Sequence, residues 1–249
     1  AENTREQSRM KKVFSILILS ALALSVRAQS GVGLESADRD AFDQLSVIRG
    51  AEYFGKYCLG CHSLRQIRYS RLSKDLRVNE ARMKELILFG DNKIHDTIET
   101  SLDPKAATEI FGSAPPDLSL VVRSKGADWV YTYLKSFYED PKRPFGVNNV
   151  VLPNAAMPNV LWDLQGPQEA IVEEHGGKAE VVGVRSVHSG SVTPRQFDVV
   201  ANDIVNFLAY VSEPSILQRI PLGKYVIFFL LFLTWIFYQL KKEYWKDID

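Results

Sequence analysis

Cys58-Leu59-Gly60-Cys61-His62 concentrates the reactive chemistry of this 249-residue chain. Two thiols three positions apart can each add to a vinyl group of one haem, and the next residue then supplies an imidazole to the iron. A CxxC pair also suits a redox dithiol or half of a zinc site. The adjoining histidine and the absence of a second CxxC argue for haem, as does a secretory segment upstream. The chain has only these two cysteines, so it cannot build a disulfide framework. One CxxCH predicts one covalent haem c, with Cys58, Cys61 and His62 holding it.

A second axial ligand must come from elsewhere. The candidates are Met83, Met157, His95, His175 and His188. Met83 falls in a helical pattern where a core role suffices. The histidines lie in polar, Gly/Glu-rich or Ser-rich stretches and read as solvated side chains. Met157 sits in Ala155-Ala156-Met157-Pro158, after a long irregular segment that can wrap an open ring face, with Pro158 stiffening the turn. A thioether there would favour ferrous iron and raise the potential. From the residues alone, Met157, a histidine and an open position all remain readings.

The elements that must position these groups are mostly helical. The pattern predicts helices over residues 40–57, leading into Cys58, with Phe42, Leu45 and Ile48 at helical spacing. It predicts others over 79–89, capped by Asn79 with Met83, Leu86 and Phe89 on one face, and over 117–138, weakened at Gly126. A further amphipathic helix spans 197–211, with Val200, Ile204, Phe207, Leu208 and Val211 as its stripe. Residues 141–158 read as an irregular loop. Residues 166–194 read as an exposed excursion with short strands near 180–187. Its Glu169, Glu173, Glu174 and Glu180 could help a basic acceptor dock, though a solvated loop is the plainer reading.

Both ends carry targeting signals. Met10-Lys11-Lys12, the apolar run VFSILILSALALSV and Ala28 make a secretory signal over residues 10–28, cleaved after Ala28. Residues 1–9 precede that natural start as a fusion or longer precursor. Residues 29–215 form the exported domain, and 216–242 a membrane anchor of spanning length. Residues 243–249 form a cytoplasmic tail, oriented by Lys241, Lys242 and Lys246. Between Gln29 and Ser215 there are 25 acidic against 20 basic residues, although the whole chain is neutral. An acidic domain without a basic aromatic stripe is a poor nucleic-acid binder.

Several segments together resemble the cytochrome c1 family of the bacterial cytochrome bc1 complex, a quinol–cytochrome c oxidoreductase. They are Arg49-Gly50 ahead of Tyr53 and Lys56, then CLGCHSL, then Ala114-Pro115-Pro116-Asp117-Leu118-Ser119, then Ala156-Met157-Pro158 with Leu161, and finally the C-terminal helix. The resemblance implies Met157 as the sixth ligand, and a carbonyl at Pro115-Pro116 that accepts the His62 Nδ1 proton. It also implies Arg123 or Lys125 at a haem propionate, with Lys125 the better alignment, and Trp129 packed near the ring. It implies a mostly α, class I-like cytochrome c domain with irregular insertions, its last soluble helix beside the first, in the periplasm and anchored by one transmembrane helix in the inner membrane. Expected partners are cytochrome b, the Rieske iron–sulfur protein, a soluble cytochrome c and membrane lipid, within a dimeric complex. The reaction is then one-electron transfer, and the chain is not catalytic alone: no nucleophile–base pair, phosphate loop or metal-hydrolase spacing is present. The alternatives are a monohaem cytochrome serving another oxidase or reductase, and a haem-based sensor or assembly module with an exchangeable sixth ligand.

Overall fold

Two helices distant in sequence approach so closely that one position tolerates no side chain. The computed structural model describes residues 33–175 and 178–246; the signal sequence expected at 10–28 lies outside them. In chain order they form α1 (Gln44–Tyr57), β1 (Leu64–Arg68), α2 (Tyr69–Leu76), α3 (Glu80–Leu86), β2 (Thr97–Ile98), α4 (Pro104–Phe111), α5 (Val121–Lys125) and α6 (Ala127–Lys135). These are followed by β3 (Phe137–Glu139), β4 (Val147–Asn149), α7 (Trp162–Gln165), β5 (Gln168–His175), β6 (Lys178–Ser186), α8 (Pro194–Ser212) and α9 (Ile216–Tyr244). The strands make three separate antiparallel pairs, β1–β2, β3–β4 and β5–β6, so the described domain is mostly helical.

α1 starts where the Asp43 side chain accepts the Ser46 N–H, and α8 starts with a Thr193/Gln196 capping box and Pro194 in its first turn. The pair meets at Gly50. A Cβ there would lie 2.0 Å from the Asp203 carbonyl oxygen and 2.7 Å from Phe207 Cβ. Around this contact Val47, Ala51 and Phe54 face Ile204, Phe207 and Leu208, with the Phe54 and Phe207 rings 5.4 Å apart. The buried Asp203 carboxylate fastens the crossing. It accepts from Arg49 Nε at 2.6 Å, Arg49 Nη2 at 2.7 Å and Ser46 Oγ at 2.6 Å. Asn206 adds a bond to Ser46 Oγ at 2.9 Å and accepts the Asp40 N–H. The last soluble helix thus lies beside the first.

The buried face of α1 differs from the expected stripe. Phe42 precedes the helix and is 45 % exposed, and Leu45 is 69 % exposed, whereas Val47, Gly50, Ala51 and Phe54 are buried. Close approach selected the small-residue face over the bulkier one. α3 ends at Leu86, short of residue 89, because Ile87 and Leu88 both bond back to the Met83 carbonyl before a turn at Gly90, φ +66°. Met83 is fully buried, while Phe89 is half exposed. The predicted helix over 117–138 is two helices and a strand. Gly126 takes φ +95°, outside the helical region, and breaks it there; α5 and α6 then each reach α8 separately. Leu120 is exposed, and Val122, Val130, Tyr131 and Leu134 make the buried face. The acidic excursion is the β5–β6 hairpin, in which Glu169 pairs with Arg185 at 2.8 Å.

Lys135 anchors the end of α6. Its mostly buried ammonium pairs with Glu35 and, at 2.8 Å, with Asp198 at the start of α8. Burial opposes the charge, but hydrogen bonds to Asp198 and Glu35 outweigh it and raise the Lys135 pKa above its ordinary value. α9 is 29 residues long, about 44 Å of helix, and unburied along its apolar span. That is enough to cross a membrane.

Gly50→Ala should lower stability by about 1–3 kcal/mol, read by chemical denaturation, because backbone must move to admit the methyl group. Lys135→Met should destabilise the domain at neutral pH. A raised folded-state pKa contributes stability that is complete below the unfolded value and lost as pH climbs through the folded one. The difference from wild type should therefore shrink above pH 10.5, measured by thermal melting across alkaline pH.

Candidate functional site

The CxxCH motif begins where α1 ends. Cys58 caps the helix, its N–H bonding the Phe54 carbonyl, and the Cys61 and His62 amides both donate to the Cys58 carbonyl, at 3.0 and 2.8 Å. This tight coil carries both thiols and the imidazole on five consecutive residues. Thr100 Oγ1 secures it by donating to the Gly60 carbonyl at 2.8 Å. Both cysteines are free thiols. Burial pushes the Cys58 thiol up to about 12, and the Cys61 charge adds to the shift.

The segment Pro116–Ser119 is laced alongside the motif. His62 Nδ1 lies 2.8 Å from the Pro116 carbonyl oxygen. The Leu118 N–H donates to the Ser63 carbonyl, the Arg65 N–H to Asp117 Oδ2, and the Gln66 N–H to Ser119 Oγ. Asp117 also accepts the Ser119 N–H, closing the local turn. Pro115 and Pro116 offer no N–H of their own, so this edge presents carbonyls. A carbonyl only accepts, so Nδ1 carries the proton and Nε2 keeps its lone pair. Burial lowers the His62 pKa, opposed by the Pro116 bond and the Asp117 charge, and the ring stays neutral.

A second arm carries Met157. Asn149 sits at the end of β4, fully buried. Its Nδ2 donates to the Tyr133 carbonyl at 2.8 Å, and its Oδ1 accepts the Val151 and Leu152 amides. Asn148 Oδ1 accepts the Asn154 N–H at 2.7 Å, and Asn154 itself turns with φ +66°. These two amides shape the loop that delivers Met157, half buried, beside α6. There the Tyr133 hydroxyl lies 3.5 Å from Met157 Sδ. The Tyr133 ring stacks on Trp129 at 5.1 Å and 7°, with Phe137 against its edge. Lys125 Nζ stands 5.5 Å from the Trp129 ring centre.

The structure therefore brings His62 to Pro116, and Lys125 and Trp129 to the aromatic stack beside Met157. Arg123 does not join them; it lines a groove at the foot of α9 with Arg39 and Glu213. Sequence reasoning passed over Tyr133, although its i+4 spacing from Trp129 was a legible signal. It also passed over Asn148, Asn149 and Asp117 as shaping residues, whose partners are backbone amides that no spacing rule marks.

The donor set suits a covalent c-type haem: two unpaired thiols, a neutral histidine with Nε2 free, and a thioether on a separately braced loop. Among the described residues no group of three or more His, Cys, Asp or Glu side chains could hold a metal ion by itself.

The Cytochrome C1 family model matches residues 36–248. The chain is 48 % identical to a cytochrome c1 of Allochromatium vinosum, over 96 % of this chain and 99 % of that one. It is 37 % identical to a Nitrosomonas europaea protein named ammonia monooxygenase gamma subunit, over 96 % and 99 % of the two chains. It is 29 % identical to the mitochondrial cytochrome c1 haem protein of Schizosaccharomyces pombe, over 83 % and 68 %. With the laced CxxCH coil, the methionine loop and the spanning helix, these similarities place the chain in the cytochrome c1 family.

Proposed function

We propose that this chain is the electron-carrying subunit of a quinol–cytochrome c oxidoreductase, a single-pass membrane protein whose haem domain faces the periplasm beside cytochrome b and the Rieske iron–sulfur protein. The observation that carries the reading is the His62–Pro116 contact within a c1-family CxxCH coil, which leaves Nε2 free to ligate. When bound, one haem c supplies a one-electron Fe(III)/Fe(II) couple.

Each residue then has a distinct task. Cys58 and Cys61 fix the ring covalently, and the Pro116 carbonyl orients the His62 imidazole and raises its basicity. Met157, held by a loop that Asn148 and Asn149 shape, would supply a thioether to the iron. Lys125, exposed beside Trp129, would pair with a haem propionate. Residues 29–215 form the periplasmic domain, 216–242 the anchor and 243–249 the cytoplasmic tail. α9 keeps the domain beside its electron donor, and the outgoing electron passes to a soluble cytochrome c. The β5–β6 hairpin offers exposed Glu174 and Glu180 toward such a basic acceptor. Assembly is within a dimeric complex.

The relative named ammonia monooxygenase gamma subunit suggests a second reading, but it shares less sequence, 37 % against 48 %. Purification from native membranes in mild detergent separates the two. Reduced-minus-oxidised spectra should show one haem c per chain, with cytochrome b and an iron–sulfur protein co-purifying. Oxygenase subunits in their place would overturn the assignment.

Met157→Leu should retain covalent haem, lose the weak red thioether-to-iron band of the oxidised form, and drop the potential by on the order of 0.1 V or more. Persistence of the band would reject Met157. Ending the chain after Ser215 should release a soluble domain with a nearly native haem spectrum, because α8 already closes the core. Quinol-driven reduction in membranes should fail, since effective concentration at the donor collapses.

A further inference from the structure

A groove lies where the soluble domain meets α9, on the haem-domain side of the membrane span. It is partly open and offers about 210 Å³, room for a group much larger than one water. Its polar lining includes Arg39, Arg123 and Ser212, and its apolar wall includes Phe42, Ile216 and Ile220. Phe42 is 45 % and Ile220 38 % exposed, so hydrocarbon is offered beside the cations.

The groove combines one buried hydroxyl without a partner and two exposed cations open to a ligand. Ser212 is 8 % exposed, and its Oγ is buried without a hydrogen-bond partner. A serine at a helix end ordinarily donates to a carbonyl in the preceding turn, and a buried hydroxyl left unpaired costs free energy. The Arg39 and Arg123 guanidinium groups form no ion pair or hydrogen bond among the described residues. The acidic residues of the groove are otherwise engaged. Glu213 binds Arg219 at 2.7 Å, and the Asp40 carboxylate accepts the Phe42 N–H at 2.8 Å. Glu213 is held below its ordinary pKa by the Arg219 hydrogen bond and further by the Arg123 and Arg39 charges, so both arginines project their field into this groove.

We propose that this groove binds the phosphodiester of an outer-leaflet glycerophospholipid, with Arg39 and Arg123 pairing its oxygens, Ser212 Oγ donating to it, and an acyl chain running down Ile216 and Ile220. The inference needs only α9 in the membrane and is independent of the haem assignment. Guanidinium–phosphate pairing supplies orientation, and the first turns of α9 carry the apolar chain directly into the bilayer. The lipid fixes the height and tilt of the soluble domain over the membrane surface.

The test is native mass spectrometry of the full chain in detergent, titrated with dioleoylphosphatidylglycerol. Wild type should retain one lipid. Arg39→Gln and Ser212→Ala should each weaken retention, and the double variant by about tenfold or more. Lys105→Gln, which removes a charge elsewhere, should bind as wild type does. Equal retention by the double variant and wild type would overturn the proposal. So would displacement of the lipid by millimolar inorganic phosphate, since that would mark a simple anion site. Unchanged far-ultraviolet circular dichroism and thermal melting in each variant confirm that the domain is folded, and Arg39→Lys should restore part of the retention.

Discussion

The close approach of α1 and α8 at Gly50 sets the position of everything downstream in the site. With no Cβ at that position, the two backbones nearly touch, and Asp203 uses the proximity to collect bonds from Arg49 and Ser46. A buried carboxylate is costly unless its acceptors are filled. The bidentate Arg49 pair and the Ser46 hydroxyl fill them, so the same group that would destabilise a looser crossing locks this one. The CxxCH coil grows from the C-terminus of α1, so its orientation is inherited from this contact.

From that rigid base the rest of the site is delivered by irregular backbone held through side chains. Pro115–Ser119 follows the CxxCH coil without becoming a strand, because its prolines withhold amides and Asp117 and Ser119 substitute for backbone acceptors. The Met157 loop uses the amides of Asn148 and Asn149 in the same way. Each carbonyl oxygen collects loop N–H groups that would otherwise be stranded inside the domain. The segments that carry His62 and Met157 therefore have separate supports: His62 depends on α1, and Met157 on α6 and the β3–β4 pair. α6 is itself tied to α8 by the Lys135–Asp198 pair. Both supports converge on α8, so α8 keeps the two arms in register.

The junction with α9 follows a different logic. α8 ends at Ser212, Pro214 follows, and the apolar helix begins at Ile216. Pro221 lies inside α9, and its missing N–H leaves the Leu217 carbonyl without its helical partner. The polar remainder of this junction, Arg39, Arg123 and Ser212, lines one groove with Ile216 and Ile220 at the start of the apolar helix. The junction is thus both a tether and a surface chemically suited to the membrane interface.

The CxxCH chemistry, the spanning helix and the amphipathic stripe of α8 were all legible in the sequence, because each depends on local order: adjacent residues, a run of apolar ones, or a helical period. Met83 as core and Asn79 as a cap were legible for the same reason. The face of α1 was not, since Phe42 and Leu45 outweigh Gly50 and Ala51 in any hydrophobic count, and only the partner helix shows that closeness prevails over bulk. The break at Gly126 was foreshadowed by residue type, but its consequence, two helices each reaching α8, is a tertiary fact. The separation of Arg123 from Lys125, two residues apart yet at different sites, was equally hidden: a short helix turns neighbouring side chains to different faces, and which face meets the membrane junction and which the Trp129–Tyr133 stack is set by packing alone. Local chemistry marked Cys58, Cys61 and His62 and left Met157 as one candidate among several, and long-range packing decided which loops and carbonyls hold these residues, because those bonds join residues tens of positions apart that share no periodicity.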